Sequence, residues 1–296
     1  MKLRDNMGRS RRSEYILALL FIIPGYSLFI LFNWGPNIMS LILSFFKWDI
    51  FTPMKFIGLD NFIKLFTEDP LIPQITLNSF LYFLYTIPAM VILPLIIAIL
   101  LSKITIMRGF FQSIYFLPII ASGVSISIMF RYIYSPSNGL INNLLFFIDK
   151  NINWLTDTKT VLFAISIIIV WKSVPFYTIL YLAHVRNIPS EQYEAAKIDG
   201  CRELGLLRYI TLPAVKTTVT LISILSVSNS FFNGFEQVKV LTEGRPLNAS
   251  NIFAYYIFKT GVEDINVGYS SAIAFMFFIL FAVIAIPIVR RQYKTV

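Results

Sequence analysis

The stretch EQYEAAKIDGCRELGLLRYITLP, Glu191–Pro213, is the most polar part of a strongly apolar chain, and it lies between two segments that could each cross a membrane. A serine N-cap, Ser190, precedes it, and Glu191 and Glu194 follow where the helix dipole favours acidic side chains. Gly200 can adopt the left-handed conformation that ends a helix and reverses the chain. The stretch therefore predicts a charged hairpin of two short helices.

The composition of the chain predicts a membrane protein. Of the 296 residues, 56% are hydrophobic and only 14% are charged, whereas soluble domains carry about 25% charged residues. Apolar segments of about 17–25 residues can span a bilayer, and in lipid they must be helical to satisfy their backbone hydrogen bonds. We predict an all-α integral membrane protein with six transmembrane helices at approximately Tyr15–Phe32, Asn78–Leu101, Ser113–Tyr132, Val161–Ala183, Ala214–Phe235 and Ser270–Val289.

The distribution of charge predicts the orientation of these helices. Most of the 25 Lys and Arg residues lie on one side of the predicted membrane, whereas the opposite loops carry slightly more acidic than basic residues. The positive-inside rule then places both termini in the cytoplasm. We expect a basic tail (1–14), a first transmembrane helix with an outer loop (15–77), a five-helix core (78–290) that contains the hairpin (187–213), and a short cytoplasmic tail (291–296).

Several classes of function are disfavoured by the same sequence. The net charge of +9 is dispersed along the membrane borders, so we expect no nucleic-acid partner. One cysteine, Cys201, and one histidine, His184, cannot form a disulfide within the chain or a Cys/His metal cluster. The sequence contains no G-x-x-x-x-G-K-[ST] phosphate loop. We therefore expect no metal ligand, no catalytic residue and no cofactor in this chain.

The hairpin carries a recognisable motif. It consists of Glu194-Ala195-Ala196, then Gly200, then Ile210-Thr211-Leu212-Pro213. This order of residues resembles the EAA loop of ABC-importer permeases, and the sequence around it is similar to the carbohydrate-uptake branch of the maltose and glycerol-phosphate type. Cys201 stands where that branch usually has alanine. Further matches cover nearly the whole chain, at Gly58–Phe62, Phe116–Pro118, Gly139–Asn142, Leu241–Gly244 and Gly268–Ala272.

The resemblance implies a fold, a function and a set of partners. It implies the type I ABC importer permease fold, in the cell membrane of a bacterium, in a subunit that conducts sugars, expected to be oligosaccharides, but is not itself an enzyme. ATP and Mg²⁺ would be bound by a separate ATPase, with the hairpin in a groove on that subunit. The expected assembly is a heterodimer with a second homologous permease, two ATPase subunits and an extracytoplasmic solute-binding protein. The expected coupling residues are Glu194, Ala195, Ala196, Asp199 and Gly200.

Polar side chains within the fourth and fifth predicted spans are candidates for the substrate path, because such groups in a membrane usually face a cavity or a partner. Ser223, Ser226, Ser230 and Asn233 recur on one helical face. Hydrogen bonding between helices would explain them equally well. Lys172 could bind an anionic sugar or serve a structural role. The candidate path residues are Lys172, Tyr177, Ser226, Asn229, Ser230 and Asn233.

Two alternative functions remain open from the residues alone. A secondary transporter would carry buried acids for ion coupling, but the predicted spans contain no Asp or Glu. A membrane-embedded, lipid-linked sugar transferase would need paired carboxylates or metal ligands at the membrane edge. The acidic cluster on the predicted cytoplasmic side is the one in the hairpin, which the docking interpretation already explains.

Overall fold

The computed structural model describes residues 2–104, 108–145 and 152–293, and it divides into two compact units. One unit holds the chain up to Glu68 together with Thr260–Met276, and the other holds Asp69–Lys259 together with the C-terminal part that begins at Phe277. Among the described residues, π-helical turns occur at Ile30–Trp34, Leu207–Thr211 and Lys259–Glu263. The helices and strands are α1 (Lys2–Phe29), α2 (Gly35–Leu43), β1 (Phe46–Lys47), β2 (Lys55–Phe56), α3 (Asp60–Thr67), α4 (Ile72–Lys103), α5 (Arg108–Ile120), α6 (Gly123–Ile133), α7 (Leu140–Leu144), α8 (Val161–Arg186), α9 (Ser190–Ile198), α10 (Glu203–Leu206), α11 (Leu212–Ala214), α12 (Lys216–Phe232), α13 (Phe235–Leu241), α14 (Phe253–Phe258) and α15 (Val267–Tyr293).

The first predicted span, Tyr15–Phe32, continues past Pro36 in the structure. A continuous helical stretch of 29 residues, Tyr15–Leu43, is apolar enough to cross a membrane. Pro36 lies in the first turn of α2, where a missing N–H costs little. The π turn Ile30–Trp34 directly precedes α2, so the helical stretch is not interrupted before the proline. The basic segment that precedes residue 15 is also helical, because α1 begins at Lys2.

Two of the sequence motifs organise the smaller unit. β1 and β2 pair antiparallel, with Phe46 opposite Phe56. The Asn61 amide donates to the carbonyl oxygens of Ser44, at 2.8 Å, and Phe46, at 3.0 Å. Gly268 approaches the same strand so closely that a Cβ there would overlap the Phe46 carbonyl oxygen. Asn61 and Gly268 therefore fix this strand pair, which explains why these residue types occur here.

The larger unit is built around α4, α8 and α12. Their buried side chains include Tyr82, Met90, Ile165, Tyr181 and Ile222. Within the described residues, four helices are long and apolar enough to span a membrane, and the number reaches six if two bent helix pairs each count as one span. The predicted all-α, multispan architecture is therefore confirmed.

The third predicted span, Ser113–Tyr132, is wrong as a single straight helix. It forms α5 and α6, which meet at an angle of 103°. α5 ends at Ile120, and Ser122 caps α6, since its Oγ accepts a hydrogen bond from Ser125 N at 3.1 Å. The fifth predicted span is bent as well, by 68° at Val215. It ends at Phe232, and Gly234 at φ +100° then turns the chain into α13.

Candidate functional site

The first half of the hairpin has the predicted turn, but not the predicted N-cap. Ser190 lies inside α9, Pro189 occupies the cap position, and no side chain bonds to the helix start. Gly200 has φ +79°. Cys201 N donates to Ala196 O at 2.9 Å and Gly200 N donates to Lys197 O at 3.0 Å. These two bonds form the Schellman pattern, which satisfies carbonyls at a helix end and fixes the direction of the chain that follows.

The second half of the hairpin folds back and leaves an exposed face. The Tyr193 hydroxyl lies 3.0 Å from Thr211 Oγ1 and closes the hairpin. Ile198 and Leu204 are apolar yet 86% and 80% exposed. Of the predicted coupling residues, Ala196 is half-buried, whereas Glu194, Ala195, Asp199 and Gly200 are exposed. Most residues of the EAA motif are therefore exposed on the surface of an ordered hairpin.

One contact attaches the hairpin to α4, and a second joins the two long helices at the base of the hairpin. Lys103 Nζ, at the end of α4, lies 2.7 Å from Glu203 Oε2. Its hydrogen bond and its charge lower the pKa of Glu203 below the ordinary value. At the base of the hairpin, Thr218 Oγ1 of α12 lies 3.0 Å from His184 Nδ1 of α8. The single histidine therefore joins the two helices that the hairpin connects.

A cavity of about 270 Å³ lies in the same unit and brings several predicted path residues together. Lys172 comes from α8, Asn229 from α12, and Asn233 from the break that follows α12. Phe232 also lines this cavity, which we call the Lys172 cavity. Ser173 of α8 and Glu236 and Gln237 of α13 complete its polar lining. The predicted path residues Lys172, Asn229 and Asn233 thus form one site.

The two path serines lie elsewhere. Ser230 is buried and its Oγ lies 2.9 Å from Thr86 Oγ1 of α4. Ser226 is buried and its hydroxyl donates to the carbonyl of Ile222 in the preceding helical turn. In this structure Ser230 makes a helix–helix hydrogen bond, which was the alternative interpretation, and neither serine lines the Lys172 cavity.

Tyr177 and Phe231 also belong to the packed interior. Tyr177 is 1% exposed in the core around α8, and its hydroxyl interacts with the Asn229 side chain. Phe231 is 3% exposed and stacks on Phe83, with ring centroids 4.3 Å apart. Tyr177 therefore contacts the cavity residue Asn229 but does not itself line the cavity.

Glu236 is a cavity residue that the sequence interpretation missed. A predicted span ending at Phe235 assigned the next residue to the outer loop. In the structure the Glu236 carboxylate lies against the first residue of α6, and its Oε2 occupies the place where a Cβ of Gly123 would stand. The sequence signal was an isolated acid directly after an apolar segment, in the stretch Asn233-Gly234-Phe235-Glu236.

Residues 72–293 match the family model described as "Binding-protein-dependent transport system inner membrane component". The chain is 32% identical to "Probable ABC transporter permease protein YurN" of Bacillus subtilis (strain 168), over 94% of this chain and 96% of that protein. It is 30% identical to "Lactose transport system permease protein LacF" of Rhizobium radiobacter, over 94% of this chain and 95% of that protein.

A solved structure has the same fold. It is a chain of a bacterial ABC transporter involved in the import of the acidic polysaccharide alginate, with a TM-score of 0.81 and 22% identity over 98% of this chain and 99% of that chain. The permease fold that the EAA motif implied is thereby confirmed. The chain belongs to the family of inner membrane components of binding-protein-dependent transport systems.

Proposed function

We propose that this chain is a transmembrane subunit of an ATP-driven, binding-protein-dependent importer of sugars, and that it couples the substrate path to a separate ATPase through the hairpin. The observation that carries the proposal is the hairpin itself. Its turn is fixed by the Schellman pattern at Gly200, and Ile198 and Leu204 remain exposed beside Glu194. An ordered element with an uncovered apolar surface is suited to docking in a groove on a partner.

Sugar as the transported solute is supported by the relatives and by the chemistry of the cavity. One relative bears the name of a lactose transport permease. In the Lys172 cavity, the amide side chains of Asn229, Asn233 and Gln237 lie near the ring of Phe232. Amides donate to and accept from hydroxyl groups, and an aromatic face can pack against the apolar face of a sugar ring.

The connectivity explains how force at the hairpin would reach the substrate. The hairpin joins α8 and α12, and both of these helices line the Lys172 cavity. Lys172 lies 14 residues before the last residue of α8, Arg186, a distance of about 21 Å along a helix. ATP binding to the partner would bias the position of the hairpin, and the helices would shift the cavity between two states of access.

The proposed assembly contains a second, homologous permease, two ATPase subunits and an extracytoplasmic solute-binding protein. The dependence on a binding protein is supported by the description of the family. ATP and Mg²⁺ would be held by the ATPase subunits. The proposed location is the plasma membrane of a bacterium with both termini in the cytoplasm, which is supported by the asymmetric distribution of Lys and Arg.

The coupling role can be tested by changing the exposed face of the hairpin. Gly200→Val introduces a β-branched side chain at φ +79°, a conformation that such residues rarely adopt. Glu194→Arg reverses an exposed charge. We expect each variant to remain in the membrane, to lose co-purification with the ATPase and to lose sugar uptake.

Glu68→Arg supplies a matched charge reversal at an exposed position outside the hairpin. It should leave the ATPase bound. Normal uptake by both hairpin variants would show that the hairpin does not couple the ATPase to transport.

A further inference from the structure

The Lys172 cavity contains a cation without an internal counterpart. Lys172 makes neither a hydrogen bond nor an ion pair within 4.0 Å to any residue that the structure describes. The side chain is half-buried and lines the cavity beside Asn229 and Phe176. An unpaired ammonium group at membrane depth is costly and is usually retained to bind something.

The one acid in the lining, Glu236, lies against the start of α6 and forms no ion pair with Lys172. The Glu236 carboxylate packs against Gly123, the first residue of α6, where the backbone amides of the first turn have no helical partner. The positive end of the helix dipole favours a negative charge at that place. The dipole of α6 therefore stabilises the charge of Glu236, and within the described part of the chain no ion pair joins this carboxylate to Lys172.

The remaining groups fit a hydroxylated ring. Asn229 lines the cavity, and a side-chain amide can donate to and accept from the hydroxyl groups of a ligand. Asn233 and Gln237 add two more amides, and Phe232 adds an exposed aromatic face. The cavity volume of about 270 Å³ lies near the lower end of the range of about 300–1,000 Å³ for ligand pockets, which suits a single sugar unit.

We infer that the Lys172 cavity binds an acidic sugar and that Lys172 binds the anionic group of that sugar. This inference rests on the proposed function, because it names the substrate class of the same path. The anion is a carboxylate, as in a uronate, and a sugar phosphate presents the same chemistry to the ammonium group. The lining amides of Asn229, Asn233 and Gln237 bind ring hydroxyls, and Lys172 selects the charged sugar over its neutral analogue.

The inference can be tested by binding to the complete transporter in lipid nanodiscs, without the binding protein. Saturation-transfer NMR would measure the affinities for trigalacturonate, its methyl ester, glucose 1-phosphate and maltotriose. Loss of a charge-assisted hydrogen bond weakens binding by about 10- to 100-fold. We expect this preference for trigalacturonate over its methyl ester in the wild type, loss of the preference in Lys172→Met, and substantial retention in Lys172→Arg. Lys159→Met removes an exposed lysine outside the cavity and should bind like the wild type.

The other outcomes separate the two proposals. Binding of glucose 1-phosphate that is tighter than that of trigalacturonate and is lost in Lys172→Met would identify the anion as a phosphate. Equal affinity for trigalacturonate and its methyl ester, or binding of maltotriose alone, would overturn the acidic-sugar inference and leave sugar transport intact. Failure of all four compounds to bind would also overturn the acidic-sugar inference, whereas the hairpin variants test the proposed function separately.

Discussion

At the scale of single residues, two glycines are required for different physical reasons. At Gly200 no described atom lies within 4 Å of the place that a Cβ would occupy, so the constraint is the positive φ of the backbone. At Gly123 the backbone is helical, and the constraint is the Glu236 carboxylate that occupies the place of a side chain. Substitution therefore strains the backbone at Gly200 and displaces a neighbour at Gly123.

The Gly123 contact leads to a stability prediction. Gly123→Ala should push the Glu236 carboxylate away from the start of α6 and reduce the free energy of unfolding by about 1–3 kcal/mol. Thermal unfolding of the purified full-length chain in detergent would measure this loss. The effect should be small when Glu236→Ala is already present, because the displaced group is then gone.

Gly109→Ala is the matched control, since Gly109 also lies near the start of a helix and no described atom lies within 4 Å of its added carbon. Alanine is favoured over glycine inside helices by about 0.5–1 kcal/mol, so this variant should be neutral or slightly stabilised. Equal behaviour of the two alanine variants would contradict the assigned contact.

At the scale of elements, the hairpin is the best example of a structure encoded locally. Its turn depends on Gly200 and on backbone bonds to Ala196 and Lys197, all within six residues. The ion pair between Lys103 and Glu203 adds a connection to α4, 100 residues away in sequence. This pair holds the second half of the hairpin near the end of a long helix.

The ion pair should make the order of the hairpin depend on pH. Lys103 lowers the pKa of Glu203 below the ordinary value of 4.5, so the contribution is complete above that value and disappears as the pH falls through the lowered pKa. Glu203→Gln should therefore speed hydrogen exchange of the hairpin amides at neutral pH. At a pH below the lowered pKa, wild type and variant should exchange alike.

Lys103→Met should have the same effect as Glu203→Gln, and the double variant should add little. The pair is exposed, and exposed pairs are weakened by salt, so high salt should reduce the difference. Unchanged exchange in Glu203→Gln at neutral pH and low salt would show that the pair does not hold the hairpin.

Local patterns could predict the spans, the hairpin and its turn, because these depend on apolar length and on residues close in sequence. They could not predict the 103° bend at Ser122, because hydropathy averaged over an apolar window does not reveal a single helix-capping residue. They also could not decide the role of Ser230, because its partner Thr86 is 144 residues away. Periodicity identifies a polar face but not what that face contacts.

The cavity shows the same limit. Lys172 and Asn233 were identifiable as polar groups at the predicted membrane depth, and both line the cavity. Glu236 was hidden because it follows the predicted end of the span at Phe235, whereas in the structure α13 places it in the cavity lining. Its environment is set by Gly123, 113 positions earlier in the chain, so only the tertiary structure could relate them.

At the scale of the whole molecule, the proposed function gives this chain the substrate path and the coupling hairpin but assigns ATP hydrolysis to another subunit. The sequence contains no phosphate-binding loop of the P-loop type. We expect the purified chain in proteoliposomes to show no solute accumulation with ATP or with an ion gradient. Addition of the second permease, the ATPase and the binding protein should restore ATP-dependent uptake. Accumulation by the isolated chain would contradict the proposed coupling to a separate ATPase through the hairpin.

The stretch Tyr15–Leu43 has a further consequence for biogenesis. Its most apolar window has a mean hydropathy of 2.3, and none of that window is buried among the described residues. Its partition from the translocon into the bilayer therefore needs no support from helices synthesised later. We therefore expect a nascent chain that carries this stretch alone to be anchored in the membrane before the residues of the Lys172 cavity have been translated.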